Sequence, residues 1–113
     1  MPIECPGTKD EGTFLYYGLG FGATKGAAHQ MAKSQCDGQA KAAADQFASL
    51  EQCGEPTFAK ARTCEPKGSY SIVKATEYGP AELGAGFWVC GLMIEYRIIV
   101  TCERIAKKKK KFF

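Results

Sequence analysis

No two cysteines of this chain stand close together. Cys5, Cys36, Cys53, Cys64, Cys90 and Cys102 are each at least eleven positions from the next. Zinc and iron–sulfur sites draw their ligands from tight pairs, C-x2-C to C-x4-C, so this spacing gives no expectation of a metal or cofactor. Long apolar runs are lacking too: the best stretch, Phe87 to Ile94, stops at Glu95 and Arg97, well short of the ~18 residues that suggest a membrane helix. Met1-Pro2-Ile3-Glu4-Cys5 has neither the basic nor the apolar region of a signal peptide. No G-x4-G-K-[ST] loop is present, and Gly26 comes one residue late for G-x-G-x-x-G after Gly20 and Gly22. His29 is the only histidine, and no carboxylate pair is placed for acid–base work. The expectation is a chain that does no chemistry.

What is present points to a small extracytoplasmic domain. An even number of scattered cysteines reads as a disulfide framework made in an oxidising compartment. All six are therefore expected in three bridges, with Cys53–Cys64 as the local pair and Cys36 reaching Cys90 or Cys102. Secretion or export to a periplasm follows, with a leader peptide removed. At 45% hydrophobic and 24% charged residues, composition is that of a globular domain. The net charge of +3 is misleading, because five of the fifteen basic residues are Lys107 to Lys111. Without them ten Lys and Arg face twelve acids, and such a body has no general affinity for nucleic acid. One domain is expected over residues 1–106, followed by a basic tail over 107–113.

The periodicities predict an α+β fold with the order β-α-β-β-β. Residues 13–21, Thr-Phe-Leu-Tyr-Tyr-Gly-Leu-Gly-Phe, read as a strand. Thr24 is placed as an N-cap, and the helix should run to about Gln52, stopped by Gly54 at C′ and Pro56 beyond. At 100° per residue His29, Ala32, Cys36, Ala40, Ala43, Phe47 and Leu50 form one stripe, opposite Lys33, Asp37, Lys41 and Asp45. Near the C-terminus every second residue from Trp88 to Cys102 is apolar, which predicts a long strand with one buried face. Thr57–Cys64 and Ser69–Tyr78 read as two more strands, separated by a turn at Glu65-Pro66-Lys67-Gly68; Gly79-Pro80 opens a further loop that Gly84-Ala85-Gly86 closes. The expected architecture is two layers: one long amphipathic helix on a four-stranded antiparallel sheet, stabilised by disulfides. Trp88, Ile94, Tyr96 and Ile98 should pack on Ala40, Ala43 and Phe47.

The stretch Gly20-x-Gly22-x-Thr24-Lys25-x-x-Ala28-x-x-x-Ala32 resembles the G-x-G-x-[ST]-K-x-x-A-x-x-x-A segment of double-stranded-RNA-binding domains over thirteen residues. That family places a helix and three strands before the motif, where about twenty residues stand here, and Gly26 replaces its second lysine. No functional residue is carried over.

Candidate binding residues come from alternation. Phe14, Tyr16, Gly18, Gly20 and Gly22 share one strand face, and Leu15, Tyr17, Leu19 and Phe21 share the other. A single helix covers only one face of a sheet. The first set, with its side-chain-free glycine groove, is the expected surface for a protein partner or a second copy. The alternative reading is a polyanion or anionic-surface binder acting through Lys107, Lys108, Lys109, Lys110 and Lys111 and the glycine-rich helix N-terminus.

Overall fold

The computed structural model describes residues 2–54 and 64–104. Among these the order is β1 (Gly7–Gly22), α1 (Lys25–Leu50), β2 (Cys64–Gly84) and β3 (Phe87–Arg104). The strands form one antiparallel sheet in the order β1-β3-β2, and α1 packs against all three. The fold is thus α+β, with three strands among the described residues where four were expected. Most of the strand expected over Thr57–Cys64 lies outside the described residues; only Cys64 is seen, as the first residue of β2.

The turn expected at Glu65-Pro66-Lys67-Gly68 is instead the start of β2, pairing with β3 from Cys64↔Arg104 onward. Residues that usually break structure serve a different purpose here. β2 is an edge strand, so Pro66 and Pro80 forfeit no central ladder bond. Gly68 lies beneath the helix, where a Cβ would overlap the Ala44 carbonyl. The strand also runs through Gly79-Pro80, with register shifts between Tyr78 and Ala81 and between Glu82 and Gly84. The reversal into β3 is confined to Ala85 and Gly86, at φ of 53° and 72°. Positive φ at both positions is the hairpin geometry that matches strand twist.

Thr24 caps α1 as expected: its hydroxyl accepts from the Ala27 N–H at 3.0 Å. The buried line of the helix is Ala28, Ala32, Cys36, Ala40, Ala44 and Ala48, stricter than the expected stripe. Ala43, Phe47 and His29 are half-buried, and Leu50 is 72% exposed. The close approach of helix and sheet explains the shift. A Cβ on Gly18 or Gly20 would overlap the carbonyl oxygens of Ala32 and Ala28. Only alanine on the helix and glycine on β1 fit that spacing, and β3 fills the space between with Leu92, Ile94, Tyr96, Ile98 and Val100. Ile94, Tyr96 and Ile98 are buried as expected, and Trp88 only partly.

The helix ends at Leu50, with Glu51 extended at φ −93°, ψ 156°. Gly54 is therefore not a C′ residue. Its N–H donates to Ile3 O at 2.7 Å, beside the parallel bridge Ile3↔Cys53. That pairing carries the N-terminal segment to the helix end, and the disulfides follow it: Cys5–Cys64 and Cys53–Cys102. Two bridges replace the three expected, the local Cys53–Cys64 pair does not form, and Cys36 and Cys90 are buried free thiols. Cys36 does point at the sheet, but its neighbours there are the carbonyls of Tyr16 and Leu92, each 3.8 Å from Sγ. The two bridges are compatible with an oxidising compartment, and no helix among the described residues is long and apolar enough to cross a membrane.

Candidate functional site

The glycine face of β1 is the face that α1 covers. Gly18 and Gly20 are buried and Gly22 is partly buried against Ala27 and Ala28. Close packing is thus what these three glycines do. Phe14 and Tyr16 are half-buried; Phe14 meets Phe47 with ring centroids 5.3 Å apart, and Tyr16 meets Tyr96 at 6.0 Å. Both line a depression of about 300 Å³ with Ala43, Gln46, Phe47 and Leu50. The five residues expected as one binding surface are therefore divided between helix–sheet packing and a shallow groove. Lys107–Lys111 lie outside the described residues.

The opposite face carries the apolar surface. Leu15, Tyr17, Leu19 and Phe21 are 46%, 61%, 50% and 38% exposed. Register extends this strip across the sheet: Tyr17 stands opposite Met93, Leu19 opposite Gly91 and Phe21 opposite Val89, with Tyr78 beyond Gly91 on β2. Phe87 stacks on Phe21 at 6.1 Å. Toward the disulfide end the same face is more polar: Arg97 is ion-paired to Asp10 with Glu95 and Ser71 beside it, and beyond Ile99 Thr101 stands opposite Lys67.

The β1 edge beside the strip is closed. Gln35 accepts from the Leu19 N–H at 2.9 Å and donates to Leu19 O at 2.8 Å, Gln39 donates to Tyr17 O at 2.7 Å, and the Phe21 N–H donates to Met31 Sδ. Helix side chains thus occupy backbone groups that an edge strand would otherwise offer to another strand.

A second cluster lies on the helix side of the sheet, in the half away from the disulfides. His29 Nδ1 is 2.8 Å from Glu77 Oε2, and the Cys90 thiol donates to the same oxygen at 3.2 Å. All three ligand-capable atoms fall within 4.8 Å of one another. The His29 hydrogen bond, then that of Cys90, holds the Glu77 carboxyl below its usual range. Burial, with the neighbouring Glu77 carboxylate, pushes the Cys90 thiol up to about 11. A thiol so raised is a poor nucleophile at neutral pH. Deeper in the core, Tyr96 donates to Asp37 at 2.6 Å. Burial works to raise the Asp37 carboxyl, yet hydrogen bonds from Lys33 and Tyr96 outweigh it and hold the group below its ordinary value.

Sequence reasoning named His29 and Cys90 separately and missed Glu77. Positions 29, 77 and 90 have no spacing signature and meet only through the topology. The free apolar face did have a signal: three glycines at period two match an alanine-rich helix, which assigns that face to the helix and leaves the other.

Compared with protein-family models, curated proteins and solved structures, the chain matches none.

Proposed function

We propose that this protein is a secreted or periplasmic assembly module that does no chemistry and associates with a second copy of itself through the helix-free face of its sheet. One observation carries the reading: Leu15, Tyr17, Leu19, Phe21, Tyr78 and Phe87 are each between 38% and 61% exposed in one strip. Aromatic side chains have roughly 150–250 Å² each, so the strip presents on the order of 500 Å² of apolar surface. That is at the upper end for a monomer's largest patch and approaches the ~800 Å² per partner of a standard interface.

A second copy is the occupant because the strip is apolar and carries no charged side chain among Leu15, Tyr17, Leu19, Phe21, Tyr78 and Phe87. A two-fold interface asks only that a patch complement itself, and no charge pattern within the strip selects a different partner. Stacking of faces is favoured over pairing at the β1 edge, since Gln35, Gln39 and Met31 already occupy the β1 backbone at Tyr17–Phe21. The polar end around Arg97 and Asp10 bounds the interface.

Sedimentation over a range of concentrations, at low and moderate salt, tests this. Apolar self-association should yield a dimer whose population holds or rises with salt. A species that forms only with added polyanion, and loses affinity steeply as salt rises, would replace this reading with that of a lysine-tail binder.

A further inference from the structure

His29, Glu77 and Cys90 come from three elements, the first turns of α1, the middle of β2 and the start of β3, and converge on one point. Their donors are an imidazole nitrogen, a carboxylate oxygen and a thiol sulfur. Glu77 Oε2 stands between the other two, at 2.8 Å from nitrogen and 3.2 Å from sulfur. Tetrahedral zinc takes nitrogen and oxygen at about 2.0–2.2 Å and sulfur at about 2.3 Å, which sets ligand atoms three to four ångströms apart. The two contacts to Glu77 Oε2 need lengthen by well under an ångström to reach that spacing, and the third separation, nitrogen to sulfur, is already within 4.8 Å. Cys90 is fully buried, while the side chains of His29 and Glu77 are 40% and 39% exposed, so an ion has a path in from one side.

We propose that His29, Glu77 and Cys90 hold one divalent zinc ion, with a fourth position open to water or a partner's donor. Binding replaces the Cys90 S–H bond with a sulfur–metal bond and releases that proton to solvent. It also replaces the hydrogen bonds that Glu77 makes to His29 and Cys90. Thiolate and carboxylate then neutralise the ion, and the neutral imidazole completes the set. The consequence is mechanical. Both disulfides tie the sheet at the end bearing Cys5 and Cys102, and none ties α1 to the hairpin end. A metal at this point joins the helix start to β2 and β3 where no covalent bond does.

The test uses the oxidised protein with both disulfides intact and cobalt(II) as the spectroscopic substitute for zinc. One equivalent should bind, with the absorption of a tetrahedral site and a thiolate-to-cobalt charge-transfer band, and zinc should displace it. Cys90→Ser should abolish that band. His29→Gln and Glu77→Gln should each weaken binding beyond the ~10–100-fold lost when only an outer-shell partner is removed. These two positions are partly exposed, so their variants decide the matter if the buried Cys90→Ser does not fold. No binding, an octahedral spectrum without the thiolate band, or affinity unchanged in both surface variants would overturn the proposal.

Discussion

The two faces of this sheet solve the same packing problem in opposite ways. On the helix side, the fully buried large residues belong to the central strand, while β1 and β2 contribute glycine where the helix presses most closely: Gly18 and Gly20 under Ala32 and Ala28, Gly68 under Ala44. On the free side, β1 keeps Leu15, Tyr17, Leu19 and Phe21 largely exposed, with no helix among the described residues on that face. The contrast teaches that bulk alone does not mark the buried face of a strand. Where a helix approaches one strand at backbone distance, as at Gly18 and Gly20, that strand buries its smallest residues most deeply.

The comparison can be broken most severely at the glycines. Gly20→Ala places a methyl group on the Ala28 carbonyl, so the helix must lift from β1. A loss above about 4 kcal/mol in denaturant unfolding is expected, in the exceptional range for one substitution. Gly38→Ala on the outer side of the same helix meets open space and should stabilise by roughly 0.5–1 kcal/mol. Similar effects at the two positions would mean that helix and sheet are not in contact at Gly20.

Next in size is the central strand. Ile98 is fully buried and Arg97 beside it is partly exposed on the free face. Ile98→Ala should cost about 2–5 kcal/mol, whereas Arg97→Ala should cost under about 1 kcal/mol, because its pairing with Asp10 is at the surface. Equal costs would place the strand in the wrong register.

Tyr96 sharpens the contrast from the polar side. Its hydroxyl is the buried donor to Asp37, and Tyr96→Phe should cost about 1–3 kcal/mol at neutral pH. Since Asp37 is held below its ordinary value in the folded state, its contribution is complete above the unfolded carboxylate range and is lost as pH falls through the lowered folded value. The cost of Tyr96→Phe should therefore shrink in acid, as urea unfolding at several pH values would show. A cost that is constant with pH would mean that Asp37 keeps no advantage from this bond.

Much of the fold was legible in the sequence because it is written in local chemistry. Thr24 caps the helix through a neighbour three residues away, and the alternation from Trp88 to Cys102 gives a buried face directly. What failed depended on distant neighbours. Pro66, Gly68 and Pro80 look like turn residues until β2 is known to be an edge strand beneath a helix. Cysteine pairing could not be read from spacing, since Cys53 meets Cys102 where the distant Ile3 also bridges it. Of the residues expected as one surface, Gly18 and Gly20 pack beneath the helix, and the exposed apolar residues of β1 are those of the opposite face. The deciding clue, glycine matched to alanine, lies in the relation of two segments rather than in either one.

Sedimentation equilibrium on two paired variants tests the assignment of faces most directly. The account predicts that Tyr17→Ser with Leu19→Ser, on the free face, leaves a folded monomer and removes the dimer that the proposal expects of the wild type. Phe14→Ser with Tyr16→Ser, on the helix side, should lower stability in denaturant without selectively removing association. A wild type that remains monomeric at high concentration, or a dimer that survives the first pair and is lost from a fully folded second pair, would contradict it.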